Sequence, residues 1–181
     1  MKSIILSCTP AECEKIVNGN ISILVRKKVP KETPFKVYVY ETQGATETPW
    51  VDEDGHFIYK GRGKVIGEFV CNKVKKYEPH VILCACYEVN GADVKENLRY
   101  NKGTCLSYEE MVKKSNGKPL YGLHISDLKI YDEPREVSEF RACNGNCNHC
   151  KHRVVNPNDV GDVRCENKIT RPPKNYIYVE E

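Results

Sequence analysis

The sequence has no long hydrophobic run and little tryptophan, phenylalanine or methionine, with one, four and two residues respectively in 181. No segment approaches the ~20 apolar residues of a membrane-spanning helix. The apolar run at residues 4–6 is too short for a signal peptide, and no small-residue cleavage site follows it. We therefore expect a cytoplasmic protein without membrane contact.

A large excess of charge of one sign is also missing. The 28 basic and 25 acidic side chains leave a formal net charge of +3. This balance does not by itself indicate a nucleic-acid partner, so such a function depends on where the charges lie. The length and the 29% of charged residues are typical of one globular domain, or of one domain with a small appendage.

Cysteine, in contrast, is abundant, with ten residues. In a reducing compartment, clustered cysteines more often bind metal than form disulfides. Cys143, Cys147 and Cys150 are separated mainly by asparagine and glycine, which tolerate the left-handed backbone of a tight turn. A tetrahedral zinc site combines closely spaced ligands with a later closing ligand, here Cys165. The pattern predicts one structural zinc bound by Cys143, Cys147, Cys150 and Cys165.

Alternatives to this site remain open. His149 or His152 can replace Cys165 as the fourth zinc ligand, and four thiolates can instead hold an iron–sulfur cluster. The Cys-x3-Cys-x2-Cys spacing is also that of radical-SAM enzymes, but those are large βα barrels with the motif near the front. Reduced thiols without metal are the remaining interpretation. The cysteines in apolar contexts are predicted to be buried core thiols: Cys8, Cys13, Cys71, Cys84 and Cys86.

Short alternating or apolar segments predict a chain made mostly of strands. Two capping boxes, Thr9 with Glu12 and Ser107 with Glu110, predict helices over residues 10–18 and 107–115. The main predicted strands are residues 3–8, 21–26, 35–40, 64–77, 81–87, 120–131 and 176–179. Gly67 within one of them suggests a bulge or the close approach of another backbone. The pattern predicts an α+β fold dominated by a curved sheet or small β-barrel.

The order of these elements resembles a known family. A strand, a short helix ending at Asn18-Gly19, a strand ending at Arg26, then GKVIGEF (residues 63–69) and LHISDLKIY (residues 123–131) are similar to ASCH-domain proteins. These proteins belong to the PUA-like superfamily, and the closest resemblance is to small phage and Gram-positive bacterial forms. The resemblance implies a barrel over residues 1–140, to which a metal-binding cysteine knuckle (141–167) and a closing strand (168–181) are added. It also implies a cleft beside the first helix that binds RNA or a nucleotide.

Some members of this family deacylate modified cytidines, and one is a ribonuclease. These members share a motif of four residues: glycine, lysine, glutamate or threonine, and arginine. Here Gly19 and Arg26 match the first and last positions. Ile21 stands at the lysine position and Leu24 at the glutamate or threonine position. Aliphatic side chains neither form nor activate a nucleophile. We therefore expect a binding module rather than an enzyme. The alternatives are a nucleoside- or RNA-acting hydrolase that uses other residues, and a protein-interaction module that docks through the knuckle.

Basic side chains are grouped where the resemblance places the mouth of the cleft. Residues 16–31 contain four cations and no acid, and two more cations flank Gly63. Such groups neutralise phosphates along a nucleic-acid backbone, although a solvated surface has the same composition. The predicted nucleic-acid-binding residues are Arg26, Lys27, Lys28, Lys31, Arg62 and Lys64. His124 is interpreted as a satisfied strand histidine rather than a base. Strand alternation places His124 and Ser126 on one face and Asp127 on the other, which argues against a Ser-His-Asp relay.

Overall fold

The computed structural model describes residues 1–43, 50–51, 57–58, 62–78, 103–104, 106–142, 153–155, 163–165 and 168–180. For residues 50–51, 57–58, 108, 153–155 and 163–165 the description is of the backbone alone. The predicted strand at residues 81–87 lies outside the described residues. None of the helices in the described part is long and apolar enough to cross a membrane.

Strands dominate the described part of the chain, which confirms the predicted α+β fold. In chain order the elements are β1 (Lys2–Cys8), α1 (Pro10–Val17), β2 (Ile23–Arg26), β3 (Phe35–Glu41), β4 (Trp50–Val51), β5 (Phe57–Ile58), β6 (Val65–Cys71), β7 (Val74–Tyr77), α2 (Tyr108–Ser115), β8 (Leu120–His124), β9 (Ser126–Arg135), β10 (Arg141–Ala142), β11 (Arg153–Val155), β12 (Val163–Cys165) and β13 (Tyr176–Glu180). A 3₁₀ turn at Val137–Glu139 precedes β10.

The larger sheet has six strands in the order β10-β13-β1-β3-β6-β9. β1 lies inside it, parallel to β3 and antiparallel to β13, with Ile4 opposite both Val37 and Tyr178. Because Ile4, Ile5 and Leu6 are all buried, this strand is a continuous apolar run rather than an alternating one. The core on this sheet is built from Ile5, Tyr38, Tyr40, Val65, Phe140, Ile169 and Val179.

The smaller sheet has three antiparallel strands in the order β2-β8-β7. Helix α2 packs on one face of it, where Met111 joins Val25, Tyr77 and Leu120 in a buried cluster. β8 lies in the centre and is hydrogen-bonded on both sides, so its position fixes which residues of β2 and β7 share a face.

Both predicted capping boxes are confirmed. Glu12 N donates to Thr9 Oγ1 (3.2 Å) while Thr9 N donates to Glu12 Oε2 (3.1 Å), which satisfies two amides at the start of α1. Ser107 and Glu110 form the same reciprocal pair at α2. Helix α2 ends at Asn116, whose φ of 48° is left-handed. Local side-chain chemistry therefore determines where these helices begin and end.

Two predicted strands are wrong in extent, because each is divided in the structure. Residues 64–77 form β6 and β7, with a break at Asn72 and Lys73, and residues 120–131 form β8 and β9, with a break at Ile125. In both cases the chain leaves one sheet and enters the other at the break. The main-chain groups at the breaks remain bonded, since Lys73 O accepts from His124 N (3.0 Å) and Ile125 N donates to Ser22 O (2.9 Å).

Gly67 marks a close approach between strands, as predicted. A Cβ atom at this position would lie 2.5 Å from Lys129 O, in the neighbouring strand β9. That separation is too short for any side chain, so a substitution would force the two backbones apart. The glycine is therefore required by packing between β6 and β9.

The chain divides into two compact units, and both are discontinuous in sequence. The first comprises Met1–Glu14, Phe35–Phe69 and Leu128–Glu181, and the second comprises Lys15–Pro34 and Val70–Asp127. The first contains most of the six-stranded sheet, and the second contains the three-stranded sheet with α2. The strand predicted at residues 176–179 is found as β13, paired with β1.

Candidate nucleic-acid interface

The predicted basic cluster begins where β2 ends. Ile23, Leu24 and Val25 are buried, whereas Arg26 is half-buried and Lys27 and Lys28 are exposed. The change from apolar to basic residues coincides with the last residue of the strand, so the two lysines project from a loop rather than from the sheet. Lys31, further along the same loop, is also exposed.

The Arg26 side chain is bonded to the backbone of the preceding residue. Its Nη1 donates to Val25 O at 2.9 Å. Across the sheet its register partner is Tyr121 on β8. The guanidinium therefore occupies a defined place at the rim of the three-stranded sheet, next to an aromatic residue.

Arg62 and Lys64 lie in the first unit and have acidic partners. Lys64 Nζ is 2.8 Å from Glu136 Oε1, and Arg62 N donates to Glu41 Oε2 (2.9 Å). The Arg62 Nε–Glu41 Oε2 distance is longer, 3.9 Å. A phosphate would have to compete with these carboxylates. The six predicted residues thus divide into four at or after the end of β2 and two that are already paired with acids.

The two aliphatic residues at the reactive positions of the ASCH-like stretch are part of the core. Ile21 is 6% exposed and Leu24 is 2% exposed. Ser22, the nearest hydroxyl, is exposed, and its backbone is fixed by hydrogen bonds to Gly103 and Ile125. Among the described residues no hydrogen bond reaches the Ser22 hydroxyl, so no general base is positioned on it there.

His124 differs from its interpretation as a satisfied histidine. Its backbone N–H is bonded to Lys73 O, but its Nε2 is buried without a hydrogen-bond partner in the described part of the chain. Burial, and then the charges of Lys73 and Lys75, lower the pKa of His124. The predicted strand alternation also fails here, because the strand breaks at Ile125 and Asp127 has a φ of 50°.

The lowered pKa of His124 gives a prediction for stability against pH. The unfolded chain titrates at the ordinary value of 6.5, so it takes up the proton before the folded protein does. The contribution of His124 to the free energy of unfolding is therefore complete above pH 6.5. It declines as the pH falls from 6.5 towards the lower pKa of the folded protein. Between pH 7.5 and 5.5, His124→Gln should reduce the drop in Tm by roughly 1–3 °C relative to wild type. Equal drops in thermal scans of the two proteins would contradict this.

The described cysteines outside the predicted metal site are buried and reduced, as predicted for Cys8, Cys13 and Cys71. A hydrogen bond with Cys8, followed by burial, raises the pKa of Cys13 far above its usual range. Burial raises the pKa of Cys71 to about 11. Cys13 and Cys71 therefore have little thiolate character at neutral pH and are unreactive. Cys84 and Cys86 lie outside the described residues.

The predicted metal ligands fall largely outside the described residues, which include neither the three clustered cysteines (Cys143, Cys147, Cys150) nor His149 and His152. Within the described part, no group of three or more His, Cys, Asp or Glu is arranged to hold a metal ion. Cys165 ends β12, with its backbone opposite that of Arg153. A second contact, the bridge between Arg141 and Lys168, joins the start of the predicted knuckle to the residue that follows its end.

Sequence reasoning missed that Tyr121 lies between Arg26 and Lys76. The three residues are register partners across β2, β8 and β7. No spacing in the sequence relates them, because they come from distant segments. The pairing of β2, β8 and β7 becomes visible only in the structure, where the two long predicted strands are each divided.

Comparison with known proteins identifies the fold. The sequence matches no protein-family model and no curated protein. The structure of the ASCH protein from Zymomonas mobilis is similar, with a TM-score of 0.54 and 13% identity, covering 99% of this chain and 89% of that chain. One point-mutant form of that protein gives a TM-score of 0.55 at 13% identity, covering 99% and 89%. Another gives 0.54 at 12% identity, covering 100% and 92%. The chain therefore has the fold of these ASCH structures.

Proposed function

We propose that this chain is a non-enzymatic module that binds RNA or a nucleotide. The observation that supports this most directly is the basic loop after β2, where Lys27, Lys28 and Lys31 are exposed and Arg26 is held at the sheet rim. No acidic residue occurs in residues 16–31, so no carboxylate from this segment offsets these charges. Exposed cations grouped in this way attract a phosphate backbone without reading its sequence.

The test of this function is direct binding to labelled RNA, measured by fluorescence anisotropy at salt concentrations from 50 to 200 mM. For a single strand, log K should fall with log salt with a slope of about −0.7 for each neutralised phosphate. Three or four contacts by the basic loop would give a slope of about −2 to −3. Absence of binding at the lowest salt concentration would contradict the proposal.

Deacylation of modified cytidines, the activity that the family resemblance implied, is not part of the proposal. Ile21 and Leu24 are buried and aliphatic, and Ser22 has only backbone hydrogen bonds among the described residues, with no base on its hydroxyl. Incubation with an N4-acylated cytidine should therefore give no product above a protein-free blank. Turnover that disappears in Ser22→Ala would instead identify Ser22 as a nucleophile and make this chain an enzyme. Turnover that survives the substitution would indicate a hydrolase that uses other residues.

A structural zinc site is a second part of the proposal, with Cys143, Cys147, Cys150 and Cys165 as ligands. Two backbone pairings, one after the clustered cysteines and one before them, support this zinc site. Arg153, three residues after Cys150, lies opposite Cys165. Arg141, two residues before Cys143, is bridged to Lys168, three residues after Cys165. Both flanks of the clustered cysteines are thus joined to the segment that contains Cys165.

The need for such a site follows from the composition of this segment. Residues 143–152, CNGNCNHCKH, contain no aliphatic or aromatic side chain that could form a core, apart from the imidazole rings. The β11–β12 pair has only three residues in each strand, and a two-stranded ribbon is marginally stable alone. Bound zinc supplies folding free energy directly where apolar burial cannot. Lys151 and Arg153 would offset the −2 charge of four thiolates on one zinc. Docking of a protein partner on this knuckle is the alternative role.

A further inference from the structure

Tyr121 lies at the centre of a row of three residues across the smaller sheet. On β8 it is opposite Arg26 of β2 on one side and Lys76 of β7 on the other. In antiparallel pairs, directly opposed residues project from the same face of the sheet. The aromatic ring is therefore flanked by a cation on each neighbouring strand.

This row lies next to a row of apolar side chains on the same face. The preceding row on the same face is Leu24, Leu123 and Val74, of which the two leucines are 2% and 0% exposed. In the next row, Arg26 and Tyr121 are half-buried and Lys76 is exposed. The opposite face of the sheet is covered by α2 through Met111. Tyr121 is thus supported from below by apolar side chains and reaches solvent at the rim.

The Tyr121 side chain has no hydrogen bond and no ring contact among the described residues. Other tyrosines in the described part are engaged differently: Tyr131 donates to Glu68 (2.6 Å), and the rings of Tyr176 and Tyr178 pack edge to face. A partly exposed ring between two cations has the components that single-stranded nucleic-acid sites use, a stacking surface and positive charge beside it.

We propose that Tyr121 is a base-stacking position for single-stranded RNA, with Arg26 and Lys76 contacting the phosphates on either side of the stacked base. Adjacent strands are about 4.8 Å apart, so the long side chains of both cations reach the space around the ring. This inference rests on the proposed RNA-binding function and adds to it a residue that recognises the base rather than the backbone.

The test compares two ligands of the same length and charge, an oligouridine and an oligomer that lacks bases. Tyr121→Ala should weaken oligouridine binding by about 5- to 150-fold, the range that one stacked base provides, and should leave binding of the abasic oligomer unchanged. The salt slope should not change, because no charge is removed. Tyr121→Phe should bind like wild type, since the ring is kept.

Tyr121→Leu is the matched control for packing, because it keeps an apolar side chain next to the buried leucines of the preceding row but removes the ring. We expect it to behave like Tyr121→Ala in binding while its Tm stays close to that of wild type. The inference would be overturned if Tyr121→Ala lost the same affinity for oligouridine and for the abasic oligomer. It would also be overturned if Tyr121→Leu bound oligouridine like wild type. If Arg26→Ala lowers the affinity for oligouridine and Tyr121→Ala does not, the stacking role of Tyr121 is wrong. The proposed RNA-binding function would still stand in that case. If wild type binds neither ligand, both proposals fail.

Glu78 provides an independent test of Lys76. Its Oε1 is 2.5 Å from Lys76 Nζ, so a phosphate must displace a carboxylate to reach this cation. Glu78→Gln should therefore increase oligouridine affinity several-fold and make the salt slope steeper by up to about 0.7. The same gain is expected with the abasic oligomer, because Lys76 contacts only the backbone. If Glu78→Gln binds oligouridine with the affinity of wild type, Lys76 does not contact the RNA.

Discussion

Cys147→Ser should release the metal from a protein that otherwise purifies with about one zinc per chain. Serine keeps the size of the side chain but replaces a thiolate by a hydroxyl that does not ionise at neutral pH, so the tetrahedral set is broken. The zinc content, measured by mass spectrometry of the purified protein, should fall to a small fraction of wild type. Cys143→Ser and Cys150→Ser should do the same.

Cys105→Ser is the control, because it removes a cysteine outside the predicted ligand set and should retain the zinc. The fourth ligand is identified by comparing Cys165→Ser with the double variant His149→Ala, His152→Ala, and we expect only the first to lose the metal. A brown wild-type protein with absorption in the visible range would replace zinc with an iron–sulfur cluster. A colourless wild-type protein without zinc would leave the four cysteines as reduced thiols.

Combined substitution of Arg26 and Lys28 by alanine should lower RNA affinity by about 10- to 100-fold at 50 mM salt, since two phosphate contacts are lost. The effect should be similar for RNAs of different sequence, because backbone contacts carry no sequence information. The salt slope should become shallower by about 1.4. Anisotropy titrations at several salt concentrations measure both quantities.

Lys113→Ala with Lys118→Ala removes the same charge from another part of the second unit. Lys113 lies on α2, the helix that packs on the sheet face opposite Arg26, and both lysines are exposed. This control should bind RNA nearly as well as wild type. If it loses as much affinity as the Arg26 and Lys28 variant, binding depends on net charge alone and the loop after β2 is not a site.

The parts of the fold that depend on local chemistry were predictable from the sequence. Ser107 with Glu110 and Thr9 with Glu12 define helix starts because each pair bonds within one turn. Gly67 indicated a close backbone approach because glycine inside a strand is otherwise unfavourable. These features need no knowledge of distant contacts.

The two divided strands show why other parts were not predictable. Residues 120–131 keep a strand-like composition throughout, so the pattern gives no sign that the chain changes sheets at Ile125. The pairing that places Tyr121 between Arg26 and Lys76 depends on this break and on the break at Asn72 and Lys73. Neither periodicity nor composition contains the register of strands from distant segments.

The candidate site was predictable only in its charges. Arg26, Lys27 and Lys28 were identified from a run of cations without acids, and the structure places them together at the end of β2. The acidic partners of Arg62 and Lys64 were not predictable, because Glu41 and Glu136 come from other strands and turns.

The position of β1 between β3 and β13 has a consequence for synthesis of the protein. Val37, one register partner of Ile4, is translated soon after it, whereas the other partner, Tyr178, is translated 174 residues after Ile4. At a translation rate of 5–20 residues per second, roughly 10–35 s pass between the synthesis of β1 and that of β13. During that time an apolar strand with Ile4, Ile5 and Leu6 has an open hydrogen-bonding edge on the ribosome. A nascent chain stalled before β13 should therefore be a preferred target for chaperones that bind exposed apolar strands.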